Sequence, residues 1–274
     1  MDNKNKILEL MKKMNISHEQ KDKLAKNLSV PVKIIGIGQT GVGKTELLKS
    51  IFKINESSVV GTPEEVKEIL EKLVTGGVKS VTKDFFSFKI KSDEGFLLQL
   101  TDGAGLGESQ KLKEQYFNDW INEIPNHDMM YWVLDGSNRD IEHIQENMKN
   151  ILDKTNYRNK LIVVLNKIDQ ILLPQEMELK GIVGWDTNFN QPTKSLLKLI
   201  NERTDDIIEK LIDYVDISRE QIIVCSARKR WNHGKVLDKI IELLPEELKI
   251  KASTNREVKD ATELMSNDAK QKIK

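Results

Sequence analysis

Between Val32 and Leu244, short apolar runs alternate with longer stretches in which apolar residues recur at helical spacing. That alternation is the mark of a parallel sheet covered by helices on both faces. Strands are predicted at Val32–Ile37, Phe85–Ile90, Phe96–Thr101, Met129–Asp135, Leu161–Leu165 and Ile222–Cys225. Four of these runs are near-continuously apolar, as strands buried on both faces should be. Phe85–Ile90 differs, because only Ser92-Asp93-Glu94-Gly95 leads on to Phe96, a loop short enough for an antiparallel hairpin. One antiparallel edge strand is therefore expected.

Helices are predicted at Thr45–Lys53, Pro63–Val74, Leu112–Glu123, Ile141–Lys154, Lys194–Val215 and Lys235–Leu244. The second has a marked start, with Thr62 as cap, Pro63 at the first helical position and Glu65 at capping-box spacing. The expected fold class is α/β: one domain over residues 31–245 with a mostly parallel six-stranded sheet and a helical insertion at 62–75. A helical N-terminal arm, residues 1–30, and a charged, helical or partly disordered tail, residues 246–274, flank it.

The length of 274 residues suffices for a core that needs no disulfide help. Charge balances at 43 Lys+Arg against 43 Asp+Glu, which removes the global basic field of a non-specific nucleic-acid binder, so no specific nucleic-acid partner is expected. Any phosphate chemistry must be local. The single cysteine, Cys225, excludes an internal disulfide framework and thiolate zinc clusters, and so points to a reducing, cytoplasmic location. No apolar stretch approaches the ~20 residues of a membrane span, and the Lys-rich start lacks a signal peptide's apolar core, so the mature protein is expected to be the encoded one.

The strongest chemical signal is Gly38-Gln39-Thr40-Gly41-Val42-Gly43-Lys44-Thr45, followed by Glu46, placed between the first strand and the first helix. Glycines let the backbone curl around a polyphosphate, amides and the helix N-terminus donate to its oxygens, Lys44 neutralises the outer phosphates and the Thr45 hydroxyl holds Mg²⁺. Asn166-Lys167-Ile168-Asp169 stands just after the strand Leu161–Leu165, at the sheet edge where ligands collect. A carboxylate at Asp169 accepts two hydrogen bonds from guanine, which adenine cannot reciprocate. The Lys167 stem covers the purine face, and Asn166 ties its loop to the phosphate loop.

Thr101-Asp102-Gly103-Ala104-Gly105 ends the third strand, placing Asp102 to reach Mg²⁺ through water and the Gly105 amide to touch the γ-phosphate. Thr82, just ahead of the second strand, is the candidate to close over Mg²⁺ and the γ-phosphate, with Thr75 and Thr62 as alternatives. Cys225-Ser226-Ala227-Arg228 follows the last strand, where backbone amides reach guanine O6. The chemistry so assembled is binding of GTP or GDP with Mg²⁺, with Lys44, Thr82 and Gly105 acting on the γ-phosphate.

This set resembles the guanine-nucleotide motifs of the translation-factor-related P-loop GTPases, on their Era-like branch, over residues 32–244 and in the family's order. The glycine loop, the Gly105-Leu106-Gly107-Glu108-Ser109 continuation and the segment from Trp185-Asp186 to Pro192 are similar to the prophage-associated bacterial GTPases, and more distantly to the immunity-related and septin-like groups. The resemblance implies a Rossmann-like GTPase fold, Mg²⁺ dependence and GTP/GDP switching. Ala104 stands where most relatives place Pro, which loosens the turn. Leu106 stands where a water-orienting glutamine is found in Ras-like proteins, and leucine cannot hydrogen-bond water, so slow intrinsic hydrolysis is expected. Gly41 replaces the Asn of potassium-activated relatives. A second copy of the chain, an activating partner or another switch-loop group would then speed the reaction, with Arg139 and Arg158 as visible candidates, though each reads first as a surface charge.

Another functional class is a nucleotide-gated scaffold that self-assembles, with incidental hydrolysis. The N-terminal arm carries Ile7, Leu8, Met11 and Met14 on one helical stripe among lysines, which suits docking on the domain or the tail better than lying on an anionic membrane. His18, His127, His143 and His233 lack metal-ligand spacing and read as surface or loop residues. Cys225 reads as a buried apolar residue, and the four tryptophans as packing.

Overall fold

In the computed structural model, which describes residues 31–73, 85–91, 97–103, 113–138 and 141–244 together with Ser17, the apolar runs become one six-stranded sheet. Its strands are β1 (Val32–Gly38), β2 (Phe86–Lys91), β3 (Leu97–Asp102), β4 (Met129–Asp135), β5 (Leu161–Asn166) and, nearer the C-terminus, β8 (Ile222–Val224). The spatial order is β2-β3-β1-β4-β5-β8, with every pairing parallel except the antiparallel β2–β3 pair at one edge. This is the α/β P-loop GTPase fold expected from the sequence.

Alternation along the strands divides the core into two layers. Val32 and Ile34 of β1 join one cluster with Leu47 and Leu48 of α1 (Lys44–Ile51) and with Val236 and Ile240 of α7 (His233–Leu243); Val66 and Ile69 of α2 (Pro63–Lys72) pack at its margin. Ile35 and Ile37 face the opposite cluster, built with Trp120 of α3 (Lys113–Glu123), Met148 of α4 (Glu142–Thr155) and Leu211 of α6 (Lys194–Val215). The start of α2 is as the sequence specifies: the Thr62 hydroxyl accepts from the Glu65 amide at 3.3 Å, and the Glu65 carboxylate accepts from the Thr62 amide at 2.7 Å.

Two features differ from expectation. A six-residue helix, α5 (Pro174–Leu179), and a minimal hairpin of β6 (Trp185–Asp186) and β7 (Gln191–Pro192) lie between β5 and α6. Each is too short to leave a periodic signal. His127 and His233, read as surface or loop residues, are 3% and 0% exposed, because the chain folds a strand approach and a helix start over them. Arg158, read first as a surface charge, precedes β5 at the end of that strand opposite Asn166; it pairs with Asp153 and donates to the Val215 carbonyl at 3.2 Å.

Among the described residues no helix is long and apolar enough to cross a membrane. Cys225 is buried, as expected.

Candidate functional site

The C-terminal ends of the five parallel strands open on one edge of the sheet, and each hands its chain directly to a loop there. The loop after β1 carries Gly38 to Glu46, and Asp102 ends β3. Asp135 ends β4, Asn166 to Asp169 follow β5, and Ser226 to Arg228 follow β8. Topology thus gathers on one rim the phosphate-loop, base-loop and Asp102 residues singled out in the sequence.

Gly43 holds a left-handed conformation with φ of 90°, and a Cβ there would stand 2.6 Å from Asn166 Nδ2. Glycine is required on both counts. Lys44, 8% exposed, folds its ammonium back over the loop and donates to the carbonyls of Gly38 at 3.1 Å and Gln39 at 3.0 Å. A buried cation is thereby held beside backbone amides, the combination that attracts a phosphate chain.

Asn166 is the connector. Its Nδ2 donates to the Val42 carbonyl at 2.9 Å, and its Oδ1 accepts from the Ala227 amide at 2.8 Å. Lys167, with φ of 61°, reverses the chain and sends its ammonium to Asp135 Oδ2 at 2.8 Å. Burial opposes ionisation of Asp135, but the hydrogen bonds from Lys167 and Ser137 outweigh it and hold its carboxyl below the usual carboxylate range. Asp169 accepts from the Ser226 hydroxyl at 2.6 Å, and that same oxygen of Ser226 accepts from the Lys229 amide at 3.1 Å.

The sequence did not single out Asn190. Its Nδ2 donates to the Lys229 carbonyl at 2.9 Å and its Oδ1 accepts from Trp185 Nε1 at 3.0 Å, while the Trp185 and Trp231 rings meet edge to face. The short hairpin therefore clamps the loop after β8. No local pattern announces such a role, since the loop it clamps lies far along the chain.

At the metal end, Thr45 Oγ1 donates to Asp102 Oδ2 at 2.5 Å. Asp102 is 2% exposed, and its Oδ1 is buried with no hydrogen-bond partner among the described residues. Burial pushes its carboxyl up, against the opposing pull of the Thr45 hydroxyl and the Lys44 charge. An orphaned buried carboxylate oxygen beside a hydroxyl fits a hard divalent cation. Mg²⁺ commonly takes one or two protein oxygens and completes its shell with phosphate and water. Among the described residues no group of three or more His, Cys, Asp or Glu forms a metal cage.

Beside Asp102 a polar chain runs from exposed Ser87 into the core: Ser87 and Thr101 hydroxyls at 2.7 Å, Thr101 and His127 Nε2 at 2.7 Å, and His127 Nδ1 to the Glu123 carbonyl at 3.0 Å. Thr82, Thr75, Gly105, Leu106 and Arg139 lie outside the described residues.

Fold and rim together define the class: the chain has the α/β P-loop GTPase fold. Residues 33–167 match the model of a family described as 50S ribosome-binding GTPase. The chain is 26% identical over 234 residues to the tRNA modification GTPase MnmE of Pseudothermotoga lettingae, covering 80% of this chain and 47% of that protein. It is 22% identical over 217 residues to the uncharacterized protein YkfA of Escherichia coli K12, covering 78% and 63%. Among solved structures, a probable GTP-binding protein EngB matches with a TM-score of 0.47 and 17% identity over 77% of this chain and 98% of that one. The chain spans about half the length of the first curated relatives it matches.

Proposed function

We propose that this chain binds GTP with Mg²⁺, hydrolyses it slowly to GDP and phosphate, and switches conformation between the two nucleotide states, on the Era-like branch and nearest its prophage-associated group. The observation that carries the reading is Asn166, whose one side chain binds both the Val42 carbonyl of the glycine loop and the Ala227 amide of the loop after β8. Loops suited to the two ends of a guanosine triphosphate are thus built on each other.

In this reading Gly38 to Glu46 wrap the phosphates, and Lys44 turns from its carbonyl partners toward the β- and γ-oxygens. Asp169 receives the guanine N1–H and exocyclic amine while Ser226 fixes its other contact, the amides of Ala227 and Arg228 approach O6, and Lys167 covers the ring. Thr45 and Asp102, with Thr82, would hold Mg²⁺, which neutralises charge on the β- and γ-phosphates when bound. Hydrolysis forms a bond from a water oxygen to the γ-phosphorus as the bond to the β–γ bridging oxygen breaks. GDP leaves with that electron pair, and the water's protons pass to phosphate and solvent. Leu106 offers that water no hydrogen bond, so turnover is slow until a second copy or another partner supplies one.

Titration calorimetry with Mg²⁺ tests the binding: GTP and GDP bind, ATP at least a hundredfold more weakly, and Asp169→Asn moves the preference toward xanthine nucleotides. Equal uptake of ATP, or an Asp169→Asn protein still selective for GTP, overturns the base pocket. Phosphate release at rising protein concentration tests the turnover, and tight GTP binding with no release overturns hydrolysis.

A further inference from the structure

We infer that the groove beside α2 is the docking site of this chain's own N-terminal segment, residues 3–28. The inference does not depend on the nucleotide reading.

The groove encloses about 640 Å³ between α2 and the segment that precedes it. Val59, Pro63, Val66 and Leu70 form its apolar wall, and Glu56, Glu71 and Lys67 also line it, Lys67 standing 3.9 Å from Glu71. Unlike α1 and α7, α2 buries no residue fully; Val66, Ile69 and Leu70 pack on the core from one side only. Val60 beside it is 42% exposed. Four glutamates and two lysines give α2 a net charge of −2, so an apolar trough lies in an acidic setting. A cationic amphipathic segment is its chemical complement.

The chain supplies one. Ile7, Leu8, Leu10, Met11 and Met14 fall on one face at helical spacing, and residues 1–30 carry seven lysines against four acids. Residues 245–274 are closer to balance, with seven cations and six acids.

The N-terminal segment also has the reach. Val32 pairs with Leu98, Leu98 with Ile90, and Ile90 bridges to Val59 of the groove wall. All four belong to one core cluster, so the row runs along a single face of the sheet. Three strand steps of about 4.8 Å put the head of β1 about 14 Å from the groove. Residues 15–31 separate Met14 from Val32, and even wholly helical they span about 25 Å. The segment therefore enters the fold within reach of the trough and with a net positive charge to set against the net negative charge of α2.

Hydrogen exchange on the full chain tests this directly. Leu8→Asp with Met11→Asp is expected to speed amide exchange in α2 at least tenfold while leaving β4 and β5 unchanged; an unaltered α2 overturns the proposal, and so does acceleration spread evenly over the sheet. A second measurement is trapping of a Met11→Cys, Val66→Cys pair under mild oxidation, with Cys225 buried and inert. A crosslink within one chain supports the proposal. A crosslink only between chains places a second copy in the groove and overturns it. Phosphatidylserine vesicles supply the remaining outcome: if they bind the native chain through this segment while α2 exchanges alike in both proteins, the partner is a lipid surface and the proposal fails.

Discussion

The Thr45 hydroxyl and the Asp102 carboxylate meet at 2.5 Å, joining the first turn of α1 to the end of β3. Asp102's other oxygen is buried with no hydrogen-bond partner among the described residues, and burial holds the carboxyl above its ordinary range. A carboxyl raised in the folded state destabilises the fold as pH rises through its ordinary value, because the unfolded chain ionises more readily. Asp102→Asn should therefore raise the melting temperature of the nucleotide-free protein at pH 7. The same change should weaken Mg²⁺-dependent GTP binding at least tenfold and leave affinity in EDTA almost unaltered. Differential scanning fluorimetry and calorimetry with and without Mg²⁺ read both effects, and a fall in melting temperature would refute the account of a strained apo carboxylate.

Asn190 should matter to nucleotide affinity although nothing places it against a ligand. Asn190→Asp keeps the acceptor for Trp185 Nε1 but loses the donor to the Lys229 carbonyl, leaving that carbonyl without its partner. A lost hydrogen bond of this kind costs about 1–2 kcal/mol, so guanine-nucleotide affinity should fall about tenfold. Unfolding should remain cooperative, since the main core is untouched. Unchanged affinity for GDP would show that the clamp does not organise the loop.

What was legible in the sequence follows from what local physics fixes. Most strands of the parallel sheet are near-continuously apolar, and the glycine loop needs small residues, a lysine and a hydroxyl at fixed spacing. Both read directly, as did the α2 cap, whose partners are three residues apart. The Asn190 clamp, the Lys167–Asp135 pair and the burial of His127 and His233 did not, because each depends on residues brought together only by the finished fold. The helix α5 and the β6–β7 hairpin escaped for another reason: six and two residues are fewer than any period needs to show itself.

His233 should give the protein an acid-sensitive stability. Burial, aided by the Arg230 charge, lowers its pKa to about 4. Because the folded state resists protonation, its contribution is intact above about pH 6.5 and is lost as pH falls from there toward 4, up to about 3 kcal/mol in all. His127 is shifted in the same direction, so the test is a difference between proteins. Urea midpoints of the native chain and of His233→Gln, taken from pH 7.5 to 4.5, should converge as pH falls. Parallel curves would deny His233 the role.

Tyr131 supplies the last prediction. Its hydroxyl is buried with no partner among the described residues, close against Gly36, where a Cβ would come within 2.3 Å of the oxygen. Burial, with the nearby Asp102 charge, drives its pKa well up, so it remains neutral at any working pH. An unsatisfied buried hydroxyl costs about 1–3 kcal/mol, and Tyr131→Phe removes it while keeping the ring. The variant should unfold at a higher urea concentration than the native chain, with the same slope. Gly36→Ala should do the reverse, since the added methyl has no space unless the ring moves. If Tyr131→Phe instead destabilises the protein and also weakens Mg²⁺-dependent nucleotide binding, the hydroxyl is serving Asp102 in the loaded state, and the carboxylate's orphaned oxygen is less alone than the free fold suggests.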